Sequence, residues 1–444
     1  MTSRHHPYGR RFKKITLMSR MIKVGRMLEG KTREMLLALP PMTNKDILAA
    51  MQVLNTIMHH AYIVDPSNIV MIGLTIVENT LKHGLCGASA FGLGLYGCFS
   101  KDIDTKVRYG QLAIEIIERF RSSSRGWLTR VHLLAHGLLL PLKHPLQDCL
   151  YPLVIAQKVG METGDVEHAH LTTVFYCLNA LDAGSISLDV LERDLMEFSK
   201  RFKMRKHNNI HLLQSCMDFI RCIMGRHDPI VFLDDTSRIS KLKDVLSIGI
   251  VYYQKVVIAF LFGQYKRAAT EFATKSLDHF RKQPGDIYVL WQCHFFSTLS
   301  CLAVLRHDKP KNPTKKMIRV VRRAIKRFEQ YANWNPTNCA SRLYLLQAEM
   351  AAIVARDFGT ASLKYKSALA MSSSSASSKE SHIPLLEYSL GKELEARYLM
   401  LSSGDVEGAR QRFMAACASY RKWGGLGKAN HLEREMRGLF PEYE

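Results

Sequence analysis

Several short patterns in the 444-residue sequence hold the residue types that chemistry uses. Gly92-Leu93-Gly94-Leu95-Tyr96-Gly97 is a literal G-x-G-x-x-G. To cradle a pyrophosphate it needs a strand before it, a helix after it and an acidic residue about 20 positions on, within a βαβ unit. It stands instead in helical text beside Gly87, Ala88 and Ala90, which suits a small-residue surface where two helices pack closely. Asp357-Phe358-Gly359 spells the magnesium motif of protein kinases, but no β3 lysine, H-R-D loop or glycine-rich strand pair precedes it. Gly359 reads as the turn between two helices of a hairpin, where a positive φ or a tight approach suits glycine. Gly427-Lys428 is followed by Ala429, and Lys422 stands where a phosphate loop has its first glycine, so an ATPase would have to come from another chain. His132 and His136 have the i, i+4 spacing of zinc ligands, without a Glu beside the first or a third ligand to nominate. The adjacent pairs His5-His6 and His59-His60 would point about 100° apart on a helix. Nucleophiles abound, but a triad is defined by three-dimensional geometry. No catalytic, cofactor-binding or metal-ligating residue is nominated, and the expectation is a chain without catalysis or cofactor of its own.

The surface signal is stronger. From Lys309 to Arg327, the cations Lys315, Lys316, Arg319, Arg322, Arg323, Lys326 and Arg327 flank an apolar stripe of Met317, Val320, Val321, Ala324, Ile325 and Phe328. Such a basic amphipathic helix is either a solvated outer face or a seat for an acidic protein, anionic lipid or RNA. A second basic cluster runs from Lys200 to Lys206; if both lined the concave side of a superhelix, an extended acidic ligand would be favoured. The whole chain has 62 Lys plus Arg against 40 Asp plus Glu, a formal charge of +22, which favours anionic partners without choosing among them. Glu29 is the first acidic residue, so residues 1–30 form a basic arm, expected to be flexible. An organelle presequence and a nuclear signal at Arg10-Arg11-Phe12-Lys13-Lys14 are its other readings. The expected location is the cytoplasm, with import through that arm as the variant.

These residues must be positioned by helices. Apolar positions recur at three and four, without strand-like alternation or N-G and D-G turns, so the fold class is all-α. Ile47, Leu48, Met51, Leu54, Ile57 and Met58 share a face entered through Thr43 and Asn44. Leu112, Ile116, Ile117 and Phe120 form a second such face, and Leu188, Leu191, Leu195 and Phe198 a third, with acid at its start and base at its end as the macrodipole prefers. Segments 308–314 and 372–382 read as loops, dividing a helical region 31–307 from a second at 315–440. The longest nearly apolar stretch, Leu246 to Phe262, is interrupted by Gln254 and Lys255 and is shorter than the about 20 residues a bilayer requires, so no membrane span is expected. Ten cysteines without a C-x-x-C pair read as buried thiols.

An internal repeat is visible. Gly164-Asp165-Val166-Glu167-His168-Ala169 recurs as Gly404-Asp405-Val406-Glu407-Gly408-Ala409, with related turns at Phe262 to Ala268 and Asp357 to Ala361. After three of these turns the order is small, aromatic, small: Ala361, Tyr365, Ala368; Ala409, Phe413, Ala416; and Ala268, Phe272 with the departure Lys275. Positions i, i+4 and i+7 share a helix face. The alanines admit the preceding helix and the aromatic fills the groove, as in the second helix of a tetratricopeptide repeat. Ala268 to Ala361 is 93 residues and Ala361 to Ala409 is 48, not the 34-residue period, so the expectation is an irregular α-solenoid of tetratricopeptide-like hairpins.

Four phrases fall in a specific order: Leu36 to Asn44 (LLALPPMTN), Tyr109 to Ala113 running on to Phe120, Gly160 to Asp165 (GMETGD), and Tyr420 to Ala429 (YRKWGGLGKA). In these, over roughly residues 27 to 440, the chain resembles the helical-repeat region of very large signalling proteins. Those proteins carry an N-terminal protein kinase-like domain, a predicted AAA/STAND-type ATPase, this helical region, and often a GAF domain with a histidine kinase. The resemblance implies a regulatory module similar to the sensor arm of a STAND ATPase, a superhelix that receives a signal or partner and restrains neighbouring catalytic domains. Those domains are missing from this chain. The leading expectation is therefore a non-catalytic scaffold or sensor that binds acidic-surfaced signalling proteins. The alternative is a fragment or subunit of a larger ATPase/kinase enzyme, and a third reading is an RNA-binding helical repeat.

Overall fold

The computed structural model describes residues 7–65, 67–204, 210–283, 285–307, 314–374 and 384–441. Arg4, His5-His6, Lys206, Lys309, Pro310, Pro313 and most of the two expected loops lie outside the described residues. Among the described residues the chain is all-α, and its one β-type pairing is an isolated bridge between Pro41 and Leu85. Packing draws two units: Met1–Leu140 with Ile155–Thr172 and Gln283–Asp286, and Pro141–Val154 with Thr173–Lys282 and Ile287–Glu444. This differs from a division at the 308–314 loop.

Unit 1 contains α1 (Pro7–Leu28), α2 (Arg33–Leu37), α3 (Lys45–Val64), α4 (Ser67–His83), α5 (Gly87–Phe99), α6 (Ile103–Arg119) and α7 (Arg125–His132), which runs on into a π-helical stretch Leu133–Leu139. Residues 7–28, expected within a flexible arm, are helical, with Val24 and Leu28 buried in the core. Arg20 and Lys23 reach Glu78 of α4 at 3.2 and 3.5 Å. Asn44 caps α3 by accepting from the Asp46 and Ile47 amides at 3.0 and 3.1 Å, and Asp102 caps α6 at the Thr105 amide, 2.8 Å. Ile76, Val77, Leu93, Ala113, Ile116, Ile117 and Val131 are fully enclosed. The G-x-G-x-x-G stretch lies inside α5, where a Cβ on Gly92 would strike Ile76 and one on Gly97 would lie 2.8 Å from the Tyr109 Cβ. These glycines let α4 and α6 approach α5.

The helices α8 (Leu146–Thr163) and α9 (Val166–Ala183) have residues in both units. Unit 2 continues with α10 (Leu188–Met204), α11 (His211–Met224), α12 (Pro229–Asp234), α13 (Val245–Leu261), a π-helical stretch Arg267–Phe272 leading into α14 (Ala273–Phe280), α15 (Tyr288–His307) and α16 (Thr314–Trp334). After these come α17 (Pro336–Met350) with a π-helical end Ala351–Ala355, α18 (Phe358–Ser374), α19 (Leu385–Ser402), α20 (Val406–Trp423) and α21 (Leu426–Leu439). From α10 onward sequence neighbours pack on one another, and α11, α13, α15, α17 and α19 also each touch the next of that series. The last helix returns to α11. There Gly225, at φ +79°, meets Gly427 so closely that a Cβ on Gly225 would lie 2.9 Å from the Gly427 Cα. By length and composition α15 is apolar enough to cross a membrane, and most of it is buried inside the unit.

Candidate functional site

The recurring turns are helix entries. Gly164, Gly263 and Gly404 all adopt positive φ. Asp405 accepts from the Gly408 amide at 2.9 Å and Asp357 from the Thr360 amide at 2.9 Å, capping α20 and α18. The kinase-like triplet is thus a cap and a first turn. The reading of Gly359 as the hairpin turn, by positive φ or tight approach, is corrected: Arg356, at φ +57°, takes the left-handed conformation, while Gly359 already lies in α18, where a Cβ would meet only Asp357 Oδ1 at 3.6 Å. Asp165 is used differently, accepting from Arg130 Nε and facing His168 Nδ1, both at 2.8 Å. Burial opposes its ionisation, but His168 and Arg130 together hold its carboxyl well below the usual aspartate range.

All eight repeat residues, Ala268, Phe272, Ala361, Tyr365, Ala368, Ala409, Phe413 and Ala416, are buried. The departure at Lys275 has a geometric cause. The π-helical stretch Arg267–Phe272 adds a residue to the turn, so Ser276 takes the inward place, donating from its hydroxyl to the Gly249 carbonyl of α13 at 2.9 Å, while Lys275 is exposed. Small, aromatic, small at i, i+4, i+8 is the signal that finds it.

Around these residues unit 2 holds interior ion networks that the sequence did not disclose. Glu393 receives Lys428 Nζ at 3.0 Å and Arg397 Nη2 at 2.9 Å on one oxygen and the Tyr420 hydroxyl at 3.1 Å on the other. Burial pushes this carboxyl up, but Lys428 and Arg397 outweigh it and bring it down to about 2. Lys428 also donates to the Leu261 carbonyl at 2.7 Å, and Arg397 pairs with Glu435. Arg306 pairs with Glu349 at 2.5 Å, and the Tyr365 hydroxyl donates to the same carboxylate. Arg342 lies 3.6 Å from Asp182 and 3.7 Å from Glu387, and donates to the Tyr288 hydroxyl at 3.3 Å. Burial raises Asp182 to about 6 and lowers Lys255, which donates to the Leu233 and Asp235 carbonyls, to about 8. Shifted groups occur in catalytic sites and in structural networks alike; here each joins one helix to another. His132 and His136 stack with ring centroids 5.1 Å apart, and among the described residues no three His, Cys, Asp or Glu groups gather as metal ligands. The ten cysteines are free, and burial pushes Cys98 and Cys149 up to about 12, far from reactive thiolates.

The basic face emerges on α16. Lys315, Lys316, Arg319, Arg322, Arg323, Lys326 and Arg327 are all exposed, whereas Val321, Ile325 and Phe328 are buried. Among the described residues none of the seven pairs with a carboxylate; Arg327 meets the His294 ring at 3.3 Å. Glu329 is the helix's single acid. Val320 remains 51% exposed and edges a cleft of about 240 Å³ lined also by Ala273, Leu277, Thr298 and Ala324. Of the second basic cluster, Lys200 is exposed and Arg201 pairs with Glu197 at 3.2 Å. A second cleft of about 730 Å³ lies among Phe262, Tyr265, Lys266, His307, His431 and Arg434. No family model, curated protein or solved structure gives a significant match to this chain.

Proposed function

We propose that the chain is a non-catalytic scaffold, an irregular α-solenoid of tetratricopeptide-like hairpins that holds an acidic protein partner within a signal-transduction assembly of the kinase and ATPase type. The packing of α11, α13, α15, α17 and α19 on one another supports the solenoid reading, since first helices of successive hairpins form such a layer. The buried small, aromatic, small positions support it at the level of side chains.

The observation that carries the binding reading is α16: seven exposed cations without carboxylate partners among the described residues, set around an exposed Val320 and a narrow apolar cleft. A face kept only for solvation gains from interleaved acid, which α16 lacks apart from Glu329. An acidic segment with one apolar anchor matches it: carboxylates meet the guanidinium groups and the anchor enters the cleft beside Val320. In this reading α16 belongs to the layer of second helices, so the partner docks on the outer side of the hairpins.

The test is titration of fluorescent acidic amphipathic peptides onto the full chain, with and without Arg319→Glu, Arg322→Glu and Arg323→Glu. Binding weakened by about tenfold or more in the triple variant, and falling with salt, supports the proposal. Equal affinity for both proteins contradicts it.

A further inference from the structure

Helix α1 carries two apolar stripes, one buried and one facing outward. Val24 and Leu28 are buried, and Leu17 and Met21 pack against the same core. Ile15, Met18 and Ile22, spaced i, i+3, i+7, form the outward stripe and are 61%, 67% and 50% exposed. With Lys23, Arg26 and Met27 they line a shallow groove. One apolar face suffices to seat a helix on its own unit; a second, left in water, contributes nothing to that seating. The sequence of α1 also contains Arg10, Arg11, Lys13, Lys14, Arg20, Lys23 and Arg26 and no Asp or Glu. Arg20 and Lys23 share the single carboxylate of Glu78, so the described part of the helix, with the exposed Arg26, keeps a net positive charge.

We propose that this outward face lays α1 on an anionic lipid surface, with Ile15, Met18 and Ile22 in the boundary between headgroups and acyl chains and the cations at headgroup level. Charge complementarity selects this occupant. A basic helix with a limited apolar stripe is the composition that binds in the plane of an anionic interface. A second copy of the chain would set this acid-free helix against itself. Apart from Ser19, the groove offers no uncharged polar side chain to register a folded partner residue by residue.

The experiment is co-sedimentation of the full chain with vesicles of phosphatidylcholine alone and of phosphatidylcholine with 30% phosphatidylserine, a chosen composition in which each cation at the surface is worth on the order of fivefold in partition. The expected result is binding to the anionic vesicles that exceeds binding to the neutral ones by at least about tenfold and weakens with salt. Ile15→Glu with Met18→Glu and Ile22→Glu should remove it without changing the circular dichroism or the melting temperature, because all three side chains are exposed. Arg26→Glu alone should weaken it, and the triple α16 variant should leave it in place. A chain that stays in the supernatant with anionic vesicles overturns the proposal. So does vesicle binding that survives the α1 substitutions, or a dimer, seen by light scattering, that those substitutions dissociate.

Discussion

Glu393 sits where three helices meet, receiving Lys428, Arg397 and Tyr420 in an interior that excludes water. Its carboxyl titrates at about 2 in the folded chain, against 4.5 for an ordinary glutamate. Because the folded value is depressed, its contribution is complete above about 4.5 and is lost as pH falls toward 2, where the unfolded chain takes up the proton first. That contribution is on the order of 3 kcal/mol. Glu393→Gln should therefore be clearly less stable than the parent at pH 7, with a gap in denaturant midpoint that closes between pH 4.5 and 2; a gap independent of pH would remove the carboxylate from this role. Phe413 gives a prediction of another kind. It is fully buried, and Phe413→Ala should cost about 3 to 5 kcal/mol in urea unfolding. A midpoint unchanged within error would show that it does not plug the helix groove. Phe413 was legible in the sequence because it sits between two alanines at helical spacing. Lys428 was not: beside Gly427 it resembles a truncated phosphate loop, and only the close approach of Gly225 and the facing Glu393 reveal it as an interior cation.

At the scale of elements, helix type and many boundaries could be read directly, as with Asn44 capping α3 and the acid-to-base gradient along α10. The π-helical stretch before α14 could not, since the regular i+7 spacing lands on Lys275 and the shifted i+8 place holds the polar Ser276, so only the fold shows which of them turns inward. It moves the inward position from Lys275 to Ser276, and this can be measured. Ser276→Leu should overpack the contact with α13 and cost about 1 to 3 kcal/mol, whereas Lys275→Leu should change stability by less than about 0.5 kcal/mol. The reverse order would restore the regular α register. For α16, exposure of its cations predicts that Arg319→Glu, Arg322→Glu and Arg323→Glu together leave the thermal midpoint within about 2 °C of the parent. A larger fall would mean that these side chains serve the fold.

For the whole molecule, the all-α class followed from periodicity and the absence of strand signals. What stayed hidden were contacts between residues far apart in sequence. The return of α21 to α11 rests on two glycines about 200 positions apart, and the two units interleave segments that no composition shift marks. The ion networks are hidden for the same reason, since Arg342 of α17 meets Asp182 of α9 across 160 positions of sequence. The seven cations of α16 were visible as a pattern, but their exposure and lack of carboxylate partners among the described residues required the fold.

The most direct test of the scaffold account is quantitative affinity purification of the tagged full chain beside its Arg319→Glu, Arg322→Glu, Arg323→Glu variant, each with and without nuclease. The account predicts an acidic-surfaced signalling protein retained by the parent at near-stoichiometric level and lost from the variant. The same partners on both proteins, or recovery that disappears with nuclease, would contradict it.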